Sequence, residues 1–201
     1  MLTATALGML FLQCAPDVSP KTLNAFVSVE SAAKPYVVAN VSDNTPHYFD
    51  TQDKAVRFIN NLERDNKTYS AGLMQVYSKN FKAYGLNTEN VFDNCTNIKA
   101  GAEILKKCYA TATNKTDDPQ DAIRKAASCY YSGNFTRGFK KESDGKSYVE
   151  RIELAASKKF AVPEIKTEDS GMQSSKPDDD KSAVYTDHAK SKNSWDVFGD
   201  Y

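Results

Sequence analysis

The sequence predicts a mainly α fold of the α+β kind. A helical domain over residues 1–162 carries one small β-hairpin flap and is followed by a disordered tail over 163–201. Three observations predict this. Apolar residues recur at helical spacing in several separate stretches, the pattern of helices with one buried face. A single β-rich run, Tyr36-Val37-Val38-Ala39-Asn40-Val41, leads into the turn cluster Ser42-Asp43-Asn44-Thr45-Pro46. From Pro163 onward the chain is polar and charged, with Pro177-Asp178-Asp179-Asp180 inside it, and holds too few apolar side chains to fold alone.

The elements follow in order. Met1 to Leu12 is apolar but lacks a basic leading segment and is too short to span a bilayer. A degenerate signal peptide and a first helix are both open readings of it. Ser19-Pro20 reads as an N-cap with proline at the first helical position. Leu23, Phe26, Val27 and Glu30 then share one face of a helix that should stop near Pro35. After the hairpin, Asp53 to Leu62 turns Ala55, Val56, Ile59 and Leu62 inward. Tyr69 to Val76 runs into a helix near Ser78 to Tyr84, stopped by Gly85. Asn97 to Ala110 places Ile98, Gly101, Ala102, Leu105 and Cys108 on one face. Asp118-Pro119 restarts a helix with Ala122, Ile123, Ala126, Ala127 and Tyr130 buried, ended by Ser132-Gly133-Asn134. Tyr148 to Phe160 forms a last helix with Val149, Ile152, Ala155 and Ala156 inward.

Charge and cysteine usage narrow the function. Lys+Arg and Asp+Glu both number 26, so there is no basic field for reading phosphates and no nucleic-acid partner is expected. Eleven Tyr and ten Phe offer aromatic faces suited to sugars. Cys14, Cys95, Cys108 and Cys129 include no close pair of metal-ligand type, and His47 and His188 are far apart, so neither a zinc site nor another cofactor is expected. The even count fits two disulfides in an oxidising compartment, or four buried thiols in a reducing one. If they pair, Cys108 and Cys129 lie on consecutive helices joined by a short loop, neighbours in an antiparallel arrangement. Cys14–Cys95 then remains, tying the first helix to the loop before Asn97.

One residue breaks the helical pattern. Glu30 continues the apolar stripe Leu23, Phe26, Val27 at the end of its helix. Burial raises a carboxyl pKa and a helix C-terminus disfavours negative charge, so both effects keep Glu30 protonated toward neutral pH, as a general acid requires. The alternative is a glutamate at the edge of a helix face with its carboxylate in water.

The stretch Ser70-Ala71-Gly72-Leu73-Met74-Gln75-Val76 gives that glutamate a context. The order Val29-Glu30-Ser31, then Gly72-Leu73-Met74-Gln75-Val76, then an Ala-x-x-x-Tyr-x-x-Gly segment ending in Tyr130-Tyr131-Ser132-Gly133 resembles the lysozyme-like lytic transglycosylases. Cys14-Ala15-Pro16, Asn97-Ile98-Lys99-Ala100-Gly101-Ala102, Cys129 to Asn134 and Tyr148-Val149 extend the likeness over residues 10–160. They resemble in particular the peptidoglycan-cleaving subunit of type IV secretion and conjugation systems. For Met1 to Leu12 the resemblance implies a helix of the domain, leading into Cys14-Ala15-Pro16.

The resemblance implies an exported, periplasmic enzyme that breaks the β-1,4 bond between N-acetylmuramic acid and N-acetylglucosamine. In such enzymes the carbon-6 hydroxyl of the muramic acid is the nucleophile and a 1,6-anhydro product forms, so one carboxyl suffices. It implies Glu30 as the catalytic acid and base. Ser31 would bond to substrate or to the surroundings of the carboxyl. Gly72, Leu73, Met74 and Gln75 would wall the cleft, with Gly72 letting sugar approach the backbone and Met74 meeting the acetamido region. Tyr130 would orient Glu30 through its hydroxyl, and Tyr148 would be a further cleft residue. Core packing is the alternative for Leu73 and Met74. Tyr131 departs from the pattern, since many members of the broader superfamily have Asn there. Partners implied are glycan strands and other secretion subunits, the latter through the terminal Trp195, Val197 and Phe198 cluster. Two other functions remain open: a hydrolytic muramidase, for which Asp43, Asp50 or Glu63 would supply a second carboxylate, and a non-catalytic wall-binding assembly protein.

Overall fold

The helices begin where short polar side chains can cap them. A computed structural model describes residues 1–43 and 45–158, and within these are six α-helices and four short strands. The Thr3 hydroxyl accepts from the Ala6 N–H and opens α1 (Ala4–Cys14), which buries Leu7, Phe11 and Cys14. Pro20 occupies the first turn of α2 (Pro20–Glu30), whose buried face carries Leu23, Phe26 and Val27. Thr51 caps α3 (Gln52–Arg64). Asp93 accepts from the Thr96 N–H at 2.8 Å, which starts α4 (Asn94–Thr113) three residues before the Asn97 start read from periodicity alone. Asp118 caps α5 (Pro119–Ser132), and Gly133 closes it at φ +72°. A reciprocal capping box between Ser147 and Glu150 opens α6 (Tyr148–Ser157). The helices α4 and α5 pack together, as do α2 and α6.

Two expectations about local structure change. The helix α2 ends at Glu30, short of Pro35, because Ala32 and Ala33 both adopt left-handed backbone, at φ +50° and +59°. The Ser31 N–H and hydroxyl both donate to the Val27 carbonyl and close the last turn. The β-hairpin of β1 (Val37–Asn40) and β2 (Thr45–Tyr48) is present, but it is one end of an antiparallel sheet ordered β2-β1-β3-β4. The strands β3 (Tyr69–Ala71) and β4 (Val76–Tyr77) are too short to leave an alternation pattern in sequence. Pairing with β3 makes β1 an interior strand, with Val37 and Val38 buried, so it belongs to the core as well as to the hairpin. The segment Ser78–Tyr84 is a 3-10 helix closed by Gly85.

Both expected disulfides form. Cys14–Cys95 ties α1 to the first turn of α4, and Cys108–Cys129 ties α4 to α5. Each stabilises by roughly 2–4 kcal/mol, chiefly by restricting the unfolded chain. The expected tail over 163–201 and its Trp195, Val197 and Phe198 cluster lie outside the described residues. Among the described residues, no helix is long and apolar enough to cross a membrane.

Candidate active site

Three helices and one loop bring the singled-out residues together. The helix α2 delivers Glu30 at its last residue, and α6, packed along it, delivers Tyr148 at its first. The Tyr148 hydroxyl donates to Glu30 Oε1. Burial pushes the Glu30 carboxyl up from the ordinary carboxylate range to about 7; the Tyr148 hydrogen bond opposes the shift and is the smaller effect. Burial and the neighbouring Glu30 charge raise both Tyr148 and Tyr130 well above an ordinary phenol. Both phenols therefore remain protonated and serve as donors at neutral pH.

The orienting tyrosine differs from the expected one. Tyr130 donates its hydroxyl to the Met74 carbonyl oxygen at 2.5 Å, and its ring meets Phe26 edge-on with centroids 5.1 Å apart. It links α5 to the loop while standing near enough to Glu30 to feel its charge. The hydrogen bond to the carboxyl comes from Tyr148. The two residues are 118 positions apart in sequence, and only the packing of α6 on α2 brings them together. Tyr131, next along α5, stacks on Tyr148.

The loop Gly72 to Gln75 joins β3 to β4 and is held through its backbone. Asn97, 1% exposed at the start of α4, accepts from the Met74 N–H at 2.8 Å and donates to the carbonyls of Ala71 and Val91 at 3.0 and 2.9 Å. The Gln75 side-chain amide donates to the carbonyls of Val37 and Gly72 at 3.0 and 2.8 Å. Gly72 has φ +83°, and a Cβ there would lie 2.2 Å from Asn97 Nδ2. The missing side chain thus makes room for the Asn97 amide. A Cβ on Gly101 would meet Met74 Cβ at 2.5 Å, so the methionine is seated on α4.

Leu73 and Met74 are fully enclosed in the core, and Ser31 and Gln75 are buried, with the Ser31 hydroxyl and the Gln75 Nε2 donating to backbone carbonyls. These four side chains shape the loop and the end of α2 from inside. Asn97 is the residue that sequence reasoning missed as part of the site. Its signal was available, since it is a polar residue on the stripe of Gly101, Leu105 and Cys108, as Glu30 is on the stripe of α2.

The three carboxylates considered as second catalytic groups are engaged elsewhere. Asp43 accepts from Thr45 and pairs with Lys67, Asp50 pairs with Lys54, and Glu63 accepts from Tyr69. No group of three His, Cys, Asp or Glu able to hold a metal occurs among the described residues.

Comparison with known proteins finds both relatives and a family. Relatives include the type IV secretion system protein virB1 of Brucella abortus, 39% identical over 145 residues, which are 72% of this chain and 61% of that protein. The protein virB1 of Agrobacterium fabrum is 31% identical over 189 residues, 94% of this chain and 69% of the relative. That of Rhizobium radiobacter is 33% identical over 190 residues, 94% and 70%. The chain spans about three fifths of the length of the Brucella relatives it matches. No solved structure matches. The transglycosylase SLT domain profile matches residues 10–151, a span that takes in Glu30, the Gly72 to Gln75 loop, Tyr130 and Tyr148, and the chain belongs to that family as a homologue of the virB1 proteins.

Proposed function

We propose that the protein is a peptidoglycan lytic transglycosylase that uses Glu30 alone as acid and base. The observation that carries this reading is a carboxyl raised to about 7 at the end of α2, bonded through one oxygen to a phenol that remains protonated. A group with that pKa is part protonated and part ionised near neutral pH, so one side chain can give a proton and later take one.

The steps balance on this residue. Protonated Glu30 gives its proton to the glycosidic oxygen between N-acetylmuramic acid and N-acetylglucosamine as that bond breaks. The carbon-6 hydroxyl of the muramic acid then attacks carbon 1 of the same sugar, and ionised Glu30 takes the hydroxyl proton. The carboxyl is restored, and no water is consumed. Tyr148, bonded to Oε1, holds the carboxyl in orientation and stabilises the ionised form between the two steps. Tyr130 fixes the loop beside it through the Met74 carbonyl. The engagement of Asp43, Asp50 and Glu63 with other partners supports the substrate hydroxyl as nucleophile over a hydrolytic pair of carboxylates.

The virB1 relatives support a role for this cleavage in opening the wall for a type IV secretion or conjugation apparatus, in an exported, periplasmic setting that suits two disulfides. In this reading other secretion subunits dock on the Trp195, Val197 and Phe198 segment, so deleting residues 164–201 leaves cleavage intact. The test of the chemistry is release of anhydromuropeptides from purified peptidoglycan by wild type and by Glu30→Gln. A general acid contributes typically ~10²–10⁴-fold, and as the sole one Glu30 belongs at the upper end. A folded Glu30→Gln protein with near-normal release ends the assignment. Products with reducing ends and no anhydro ring move the enzyme to the muramidase reading.

A further inference from the structure

The ring of Tyr131 lies flat against the ring of Tyr148, with centroids 4.5 Å apart and planes 13° apart. Tyr148 is 3% exposed and Tyr131 is 39% exposed, so the outer tyrosine covers the inner one on the side toward solvent. Tyr131 is itself held at its far end. Its hydroxyl donates to Glu142 Oε1 at 2.6 Å. Glu142 accepts in turn from Arg151 at 2.7 Å, and Arg151 also reaches Asp144 at 3.1 Å. Arg151 is three residues beyond Tyr148 on α6. The ring of Tyr131 therefore spans from α5 to α6, anchored by its backbone on one helix and, through Glu142, by a cation on the other. The Arg137 guanidinium lies 5.6 Å from its centroid.

We propose that Tyr131 is a positioning residue for the acid: a cover on Tyr148 that fixes its phenol against Glu30 and keeps water from the phenol–carboxyl bond. This rests on the reading of Glu30 as the acid and extends it to a residue that does not touch the carboxyl. The geometry requires a planar side chain, because the contact is a face-to-face stack and the hydroxyl is tethered separately. An asparagine at this position is too short to cover the Tyr148 ring. The groups bearing on the carboxyl are the phenols of Tyr148 and Tyr130, and Tyr148 is flanked in turn by Tyr130 and Tyr131. The charges around Tyr131 are Glu142, Arg137 and Arg151. They act at its hydroxyl and ring edge, and its link to Glu30 runs through Tyr148.

Two measurements on full-length, disulfide-intact protein test this, with Tyr131→Phe, Tyr131→Asn and Tyr131→Leu. The first is titration of the Glu30 side-chain carbon by NMR in protein labelled with 13C-glutamate and assigned with Glu30→Gln. It needs no activity. The second is the pH profile of anhydromuropeptide release from soluble glycan fragments. Tyr131→Phe keeps the stacking ring and loses only the Glu142 tether, so its midpoint and profile should stay closer to wild type than those of either ring-less variant. Tyr131→Asn and Tyr131→Leu remove the cover and admit water to Glu30. Its midpoint should then fall from about 7 toward the ordinary carboxyl value, since burial is the larger cause of the raised value. The alkaline limb of the rate profile should move the same way, and kcat should fall by up to ~10²-fold with KM near wild type. A wild-type midpoint in both ring-less variants overturns the proposal, as does a rise in KM with kcat and midpoint unchanged, which would mark a sugar contact. If Glu30→Gln stays active while the midpoint still moves in Tyr131→Asn, the acid reading fails and the positioning of the carboxyl stands.

Discussion

The two sides of the site are built on opposite plans. The carboxyl side is made of side chains from three helices, with one phenol on one carboxyl oxygen, and it is tuned by the desolvation of a half-buried residue. The loop side is made of backbone. Asn97 and Gln75 between them make five hydrogen bonds to main-chain groups, and Gly72 leaves space for the Asn97 amide as Gly101 does for the Met74 side chain. The difference separates two jobs. A surface meant to present fixed edges to a long substrate is best held by many mutually supporting bonds, each to a group that must be paired anyway. A proton donor has to change state during every turnover, and a dense net of donors would lock it as the anion. Sparse bonding and burial leave it close to the balance point.

That contrast is open to attack first on the loop side, where the largest loss is expected. Asn97→Ala removes the acceptor of the Met74 N–H and one donor to each of the Ala71 and Val91 carbonyls, in a place 1% exposed. A buried unsatisfied group costs about 1–3 kcal/mol, and a water entering the vacated space can recover part of the total. The expected destabilisation is about 3–4 kcal/mol by urea unfolding of the oxidised protein, followed by circular dichroism. A loss under about 1 kcal/mol would mean that the loop does not depend on this staple.

On the carboxyl side the comparison predicts the reverse sign. Glu30 has a folded-state pKa of about 7 against an ordinary value of 4.5. Its contribution to stability is present in full below the unfolded value and is lost as pH rises to the folded one. Above pH 7 the wild type therefore carries a burial penalty, at most about 3 kcal/mol for a shift of this size in a half-buried residue. Glu30→Gln removes the charge and still offers Tyr148 an acceptor. The variant should be more stable than wild type at pH 8 by up to that amount, with the gain fading to nothing near pH 4.5. A difference between the two proteins that stays constant from pH 4.5 to pH 8 would show that Glu30 is not desolvated as described.

How much of this was legible follows from the same physics. Helix faces were readable because burial repeats every third or fourth residue, and Leu23, Phe26 and Val27 or Ile98, Leu105 and Cys108 are where the period puts them. Glu30 was readable as a carboxyl on such a stripe. Asn97 carried the same mark, but a polar residue near a helix start has many local uses, and its partners at Ala71 and Met74 are more than twenty residues away. The strands β3 and β4 were not readable, since a three-residue and a two-residue strand cannot show alternation, and their pairing comes from the four-residue loop between them. The choice between Tyr130 and Tyr148 as donor to Glu30 was beyond spacing altogether. Both lie at helix ends on buried faces, and which hydroxyl reaches the carboxyl is settled by how α6 packs on α2 and on α5.

The smallest expected effect tests why α2 ends where it does. Nothing in Ser31-Ala32-Ala33-Lys34-Pro35 signals a left-handed turn, yet Ala32 and Ala33 both take positive φ directly after Glu30 and its cap. For a residue with a Cβ that conformation costs roughly 1–2 kcal/mol. The pair turns the chain toward β1, and the Ala33 carbonyl accepts from the Leu2 N–H, which draws the start of the chain against this turn. Backbone strain beside a reactive group persists when surrounding structure over-determines it. Ala32 is exposed, so Ala32→Gly removes its share of the strain without disturbing the core, while the unfolded chain gains freedom that offsets part of the benefit. The net expectation is a stabilisation of up to about 1 kcal/mol in urea unfolding, with the Glu30 titration unchanged. A loss of stability on Ala32→Gly would mean that the left-handed turn is not strained as its φ implies, and that the end of α2 is fixed by Ser31 on the Val27 carbonyl alone.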